Sequence, residues 1–317
     1  MRKELGTFVL LIFLCVVLAF LNPGFLSSAN LQNLARLIGI YGIFSIGLGW
    51  VIITGGIDLS VGSVFALLGV LLSIFLVEWH LPAIAALTLV IGVTTVLGLI
   101  HGFLITKVRI QPFIVTLCGL LFYRGLARFI ASDETKGFGS AAGFEGLQSF
   151  ATGSVVGVPT PFVILVVISL LAWVVLHRSV YGRHLFATGY NETASRLSGV
   201  NTDRVVTIAY VACGFVAGIA GILLAFYTNS VSPSSHGNFY ELYGIAAAVL
   251  GGCSLRGGEG SVVGILIGTA LLQVLQNLVN LVGIPSSLNF AVMGAVILIG
   301  VVTDQLLRHR AAAKLAS

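Results

Sequence analysis

Apolar residues fill this chain in long runs interrupted by short polar islands, with little of the strict alternation that marks half-buried strands. The runs fall near 5–21, 37–53, 61–77, 83–106, 113–130, 161–176, 205–227, 242–253, 261–282 and 288–306. Most are long enough to cross the ~30 Å hydrocarbon layer of a bilayer as helices. The pattern predicts an all-α membrane protein, a polytopic bundle of about ten transmembrane helices. The run at 242–253 is short for a crossing and reads as a bent or half-length helix. The first run reads as a span. A removed leader ending near Ser27 and Ala29 is set aside because the run is long for a leader core and Asn22-Pro23-Gly24 intervenes. Polar residues 26–36, with Asn30, Gln32, Asn33 and Arg36, are expected to lie at the outer surface before the second span.

The most informative interruption is Thr54-Gly55-Gly56-Ile57-Asp58-Leu59-Ser60-Val61-Gly62-Ser63. Backbone polar groups at membrane depth must be covered by protein or water, so a break here marks a specialised place. Gly55 and Gly56 are suited to positive φ and to ending the preceding helix. Asp58 and Ser60 are the right residues to accept from the free amides of the next helix, near its positive dipole end. Asp58 has a second reading, direct contact with a polar solute. A related island, Gly251-Gly252-Cys253-Ser254-Leu255-Arg256-Gly257-Gly258-Glu259-Gly260-Ser261-Val262, repeats the order Gly-Gly, Leu, Gly-Ser-Val in the other half. Interrupted segments at matching places in two halves point to a transporter built from repeats, and they make Gly251, Gly252, Gly257 and Gly258 helix-break candidates alongside the first set.

Composition agrees and adds orientation. The 317 residues are 57% hydrophobic and only 9% charged, with a mean hydropathy of +1.08, which excludes a soluble domain. The net charge of +5 is explained by placement without invoking nucleic acid. With ten spans and an inner N-terminus, Arg2, Lys3, Lys107, Arg109, Arg178, Arg183, Arg196, Arg204, Arg256, Arg308, Arg310 and Lys314 fall inside, while Arg36, Arg124, Arg128 and Lys136 fall outside. That split obeys the positive-inside rule and places both termini and both islands on the cytoplasmic side. Cys15, Cys118, Cys213 and Cys253 have no pairing or metal spacing and read as buried small hydrophobes. Small faces at Gly98-x-x-x-Gly102, Gly214-x-x-x-Gly218 and Gly260-x-x-x-Gly264-x-x-x-Gly268 predict close helix packing.

In the basic loop 177–204, Asn191 reads as an N-cap, Glu192 as a first-turn acid and Gly199 as a C-terminal stop. The result is an isolated two-turn helix, too short to persist alone in water. It needs a surface: either the protein's own bundle, or a socket on a partner that receives Ala194 and Leu197.

Four motifs in register, Gly-Gly-Ile-Asp-Leu-Ser-Val-Gly-Ser at 55–63, Pro-Phe-Ile-Val-Thr-Leu at 112–117 with Arg124-Gly125, Gly-x-Asn-x-x-Ala-x-x-x-x-Gly at 189–199 and Leu-Gly-Gly-x-Ser-Leu-x-Gly-Gly-x-Gly-Ser at 250–261, resemble the ribose/xylose/arabinose-type permeases of ABC importers. The likeness runs from about residue 23 to 306. Cys253 and Arg256 depart from the small or apolar residues expected there. The resemblance implies one permease domain over 1–317, with halves near 5–176 and 205–306 and a cytoplasmic coupling loop at 177–204. It also implies a bacterial inner-membrane location, pairing with a second permease subunit, ATP-binding subunits below and a periplasmic or lipoprotein sugar-binding protein above. The ATPase-coupling segment then contains Tyr190, Asn191, Glu192, Ala194, Ser195, Leu197 and Gly199. The chain has no phosphate-binding loop and not one Gly-Lys pair, so ATP and Mg belong to the partner and no catalytic or metal-ligating residue is expected here.

A monosaccharide path should be polar and nearly neutral. Gln273, Gln276, Asn277 and Asn280 share a face of the ninth span and are candidates for it, with hydrogen bonding between helices as the other reading. Arg124 and Arg128 are candidates to meet acids of a docked binding protein or of the 131–160 loop. An ion-coupled secondary transporter is the competing class; it requires a buried ionisable residue in mid-membrane, for which His101 is the candidate. A membrane enzyme ranks last, since His-Glu-x-x-His and Gly-x-Ser-x-Gly are absent.

Overall fold

The computed structural model describes residues 2–139 and 143–283, with scattered positions from 285 to 298. Twelve α-helices occur among them: α1 Arg2–Leu21, α2 Ser28–Ile53, α3 Val61–Ser73, α4 Ala83–Thr106, α5 Pro112–Ile130, α6 Glu145–Thr152, α7 Thr160–Arg178, α8 Val180–Tyr190, α9 Glu192–Leu197, α10 Thr202–Thr228, α11 Tyr240–Leu250 and α12 Val262–Leu281. Eight stretches are long and apolar enough to cross a membrane, one of them α3 together with the π-helical turn Ile74–Glu78 that continues it. The eighth expected span, α11, has 11 residues, or ~16 Å of helix, about half a crossing. Most of the tenth, expected at 288–306, falls outside the described residues, and Arg308, Arg310 and Lys314 lie outside them altogether.

Two expectations need correction. Residues 28–36 are the first turns of α2, capped by the Ser27 side chain, and do not form a separate surface segment. The loop expected at 177–204 is largely helical: α7 runs to Arg178, α8 follows within two residues, and α10 begins at Thr202. Ser179 supplies the break, its side chain accepting from the Gly182 amide as an N-cap.

The bundle is built around α2. Every residue from Gly39 to Ile53 is buried, as expected for a helix apolar on all sides. Its glycines admit neighbours: a Cβ at Gly39 would overlap the Pro161 backbone of α7, and one at Gly47 would lie 2.9 Å from the Cys213 Cα of α10. The α4 and α10 faces meet through glycine, with Gly98 on the Tyr210 carbonyl, Gly214 on the Thr94 carbonyl and Gly102 on the Thr207 Cα. Gly251, Gly264 and Gly268 bring α11 and α12 together in the same way. Without a hydrophobic force between helices in lipid, such backbone approach supplies the dispersion contacts and excludes larger side chains. By contrast, among its residues of described burial α1 buries only Leu18, within a cluster with Phe25, Leu34 and Val274.

At one end of the bundle, β1 (Lys136–Gly137) pairs antiparallel with β4 (Ser230–Val231), and β2 (Ser154–Val155) forms a hairpin with β3 (Val158–Pro159). The islands and α9 occupy the other end.

Candidate functional site

The first island leaves α2 at Thr54 and turns at Gly55, whose φ is +82°. Gly56 keeps a negative φ; its lack of a side chain instead makes room for the Tyr210 hydroxyl, 2.7 Å from where a Cβ would stand. In the second island the positive φ values fall on Gly252, Gly257, Gly258 and Gly260, while Gly251 serves the α11–α12 contact. The islands touch. The Gly258 amide donates to the Ile53 carbonyl at 2.9 Å, and a Cβ on Gly257 would lie 2.9 Å from the Gly55 nitrogen. Arg256 projects outward beside Leu255, while Cys253 is buried.

The end of α8 is wedged into the same junction. A Cβ on Gly189 would overlap the Ile53 carbonyl oxygen and stand 2.5 Å from the Gly258 nitrogen, and one on Gly258 would stand 2.9 Å from the Tyr190 nitrogen. Three backbone segments, the two islands and the α8–α9 corner, are thus in mutual contact with no side chain between them.

At that corner α9 is built as its residues dictate. The Asn191 side chain accepts from the Ala194 amide at 2.9 Å. Gly199, at φ +87°, donates to the Arg196 carbonyl at 3.1 Å. Its underside is held by the chain itself. Ser195 is buried, and Arg196 bridges Glu192 at 2.7 Å and Asp203 at 3.1 Å. Asp203 also takes Lys107 at 3.1 Å and Arg109 at 3.0 Å from the α4–α5 turn. Exposed pairs of this kind contribute at most about 1 kcal/mol each, so the cluster orients α9 more than it stabilises it. The outer side is bare: Tyr190 and Leu197 are each 85% exposed, and Ala194 is exposed as well. The chain's own bundle therefore receives one face of the short helix and leaves Tyr190, Ala194 and Leu197 uncovered on the other.

Asp58 is only 4% exposed, and it does not cap α3 as expected. One carboxylate oxygen accepts the Ser60 amide at 2.8 Å and the Ser60 hydroxyl at 2.7 Å, leaving Ser60 without a side-chain cap bond to α3. The other oxygen faces His101 Nδ1 at 3.8 Å. His101 Nε2 is 2.8 Å from the Tyr123 hydroxyl, and the Tyr210 hydroxyl donates to the Ile57 carbonyl at 3.0 Å. Tyr123 and Tyr210 went unread in the sequence, where an aromatic in an apolar run looks like packing. His101, a lone ionisable residue inside such a run, was the available signal.

Arg124 does not face outward. It donates to the carbonyls of Pro233 at 3.1 Å, His236 at 2.8 Å and Gly62 at 3.2 Å, pinning the loop between β4 and α11 to the start of α3. Glu241, buried in the first turn of α11, lies against Gly62 in the same knot. Arg128 pairs with Asp133 at 2.6 Å, and that guanidinium holds the Asp133 carboxyl below the usual range. This is the local pairing with the 131–160 loop. Of the proposed path residues, Asn277 is committed to Asn30 at 2.7 Å, Gln273 is buried, Gln276 is half-buried and Asn280 is exposed.

His236 in that loop is 8% exposed. Burial, and then the Arg124 charge, push its pKa down to about 4. The packed loop therefore holds a neutral ring, whereas an opened loop would protonate near 6.5. The stabilisation is complete above about pH 6.5 and lost as pH falls towards 4, on the order of 3 kcal/mol at the limit. Protection factors of the 232–238 amides, taken relative to the intrinsic exchange rate at each pH, are expected to fall on acidification through that window, and His236→Gln should flatten the dependence.

The long apolar spans, the two glycine breaks and the bare-faced helix resting on them define a polytopic membrane protein of the permease class. The chain belongs to the family described as branched-chain amino acid transport system / permease component, whose model matches residues 30–301. It is 40% identical to the ribose import permease protein RbsC of Bacillus subtilis (strain 168), over 96% of this chain and 93% of that protein. It is 37% identical to the ribose import permease protein RbsC of Escherichia coli (strain K12), over 95% and 93%. To the xylose transport system permease protein XylH of the same strain it is 32% identical, over 97% and 93%. No solved structure matches the chain.

Proposed function

We propose that this chain is the membrane-spanning subunit of a monosaccharide importer that works by alternating access, driven by ATP hydrolysis on separate subunits. The observation that carries this reading is the junction at which α8–α9 rests directly on both glycine islands. A push on α9 reaches the helix breaks of both halves through backbone, with no flexible side chain to absorb it. The apolar outer face of α9, with Tyr190, Ala194 and Leu197, is the seat for an ATP-binding subunit, and the end bearing β1–β4 is where a sugar-binding protein docks. The subunit pairs with a second permease in the bacterial inner membrane, its termini in the cytoplasm. ATP and Mg belong to the partner, and this chain itself catalyses no reaction. The names of the relatives, ribose and xylose permeases, support a pentose-like cargo.

The buried Asp58–His101 pair is also what an ion-coupled transporter would require. Purification of the tagged chain from its native membrane, followed by reconstitution, separates the two. Copurification of a nucleotidase and ATP-dependent ribose uptake are expected. Uphill uptake by the chain alone on a proton or sodium gradient would refute the proposal.

A further inference from the structure

The first island is gripped on two sides. On one side Ile53 and Gly55 meet the second island and the end of α8. On the other, its carbonyl at Ile57 accepts from Tyr210 of α10 at 3.0 Å and from Thr116 of α5 at 3.4 Å. Asp58 faces His101 of α4, which reaches Tyr123 of α5. A buried polar chain of this kind is not explained by holding the bundle together. Apolar side chains of similar volume commonly serve as well or better, whereas half-satisfied polar groups cost stability.

The chain is in fact half-satisfied. His101 Nδ1 is buried without a hydrogen-bond partner, and its 3.8 Å separation from Asp58 is ~1 Å longer than an N–H···O bond. A shift of the island by that amount towards α4 makes the bond, and the reverse shift breaks it. Closely packed elements have discrete arrangements rather than a continuum, so a contact that a sub-ångström to ångström movement makes or breaks selects between them.

We propose that Asp58, His101 and Tyr123 form a positioning relay that carries displacement of the first island into α5, with the Asp58–His101 bond made in one transport state and open in the other. This rests on the reading of α9 as the ATPase seat, since that is what moves the island. The relay touches no cargo; it sets where α5 stands.

The test uses the complete importer, with its nucleotidase and sugar-binding protein, in proteoliposomes supplied with radiolabelled ribose, comparing Asp58→Asn, Tyr123→Phe and the double variant. Both single substitutions preserve shape, and Tyr123→Phe removes one hydroxyl without disturbing ring packing. Ribose moved per ATP hydrolysed is expected to fall at least tenfold in each. The double variant should be no worse than the poorer single, because both interrupt one series of contacts. A ratio within twofold of the unmodified protein overturns the relay. So do losses that multiply in the double variant, or a proportionate fall of uptake and hydrolysis with a lower melting temperature. If the unmodified complex itself fails to couple ATP to uptake, the importer reading fails, independently of these variants.

Discussion

Leu197→Asp is expected to abolish uptake, by a hundredfold or more, in a chain that still folds and reaches the membrane. Leu197 is 85% exposed, so its loss costs the isolated subunit little, within about 0.5 kcal/mol for a surface change. On the proposed reading, the assembled importer buries the same side chain in a socket of its ATP-binding subunit. Covering a leucine is worth about 1.5–3 kcal/mol, and an unpaired carboxylate in its place adds a desolvation cost of several more. Those figures correspond to at least two decades in the contact equilibrium. ATP hydrolysis by the nucleotidase should become independent of sugar while uptake stops. Gly199→Pro should do the same by another route. Gly199 sits at φ +87° and donates its amide to Arg196, and proline supplies neither that angle nor a donor. Wild-type uptake in either variant would remove α9 from the coupling path.

Gly189→Ala is expected to be more damaging than any other single methyl added to this end of the protein. The added carbon would overlap the Ile53 carbonyl oxygen and approach the Gly258 nitrogen to 2.5 Å. Both neighbours are backbone, so no rotamer change relieves the clash, and the 2.9 Å bond between them must stretch or break. Overpacking of this kind costs about 1–3 kcal/mol or more, and here it falls on the junction proposed to pass movement inward. Uptake should drop at least tenfold with a lower melting temperature of the purified chain. Retention of both would mean the three segments separate freely and that α9 acts on the bundle elsewhere. Because Leu197→Asp spares stability and Gly189→Ala lowers it, the pair separates loss of the partner from loss of the internal linkage.

Which features were legible in sequence follows from the range of the forces involved. Asn191, Glu192 and Gly199 act over one or two turns, through a side-chain cap, a dipole and a backbone angle, so α9 could be read to within a residue. The small-residue stripes announced close packing, although pairing of Gly98 with Gly214 across α4 and α10 required the folded chain. Helix α8 was lost inside a basic loop because its own apolar content is low, and docking, not propensity, orders it. Arg124 was misread for a related reason. A guanidinium near a membrane boundary suggests an outward contact, and nothing in the adjacent residues reveals that the 233–236 carbonyls return to claim it.

Hydropathy, glycine placement and capping residues by themselves determined that this is a many-spanning α-helical membrane protein, broken at two glycine islands and carrying a short helix between them. Those properties belong to single segments: each apolar run answers to the bilayer, and each cap or glycine to its own backbone. Only the tertiary structure decided that the two islands and the α8–α9 corner share one junction, and that Asp58 turns from α3 towards His101. Contacts such as Asp58–His101 and Ile53–Gly258, far apart in the chain, depend on how helices are arranged about α2, and no local preference along the chain encodes that arrangement one residue at a time.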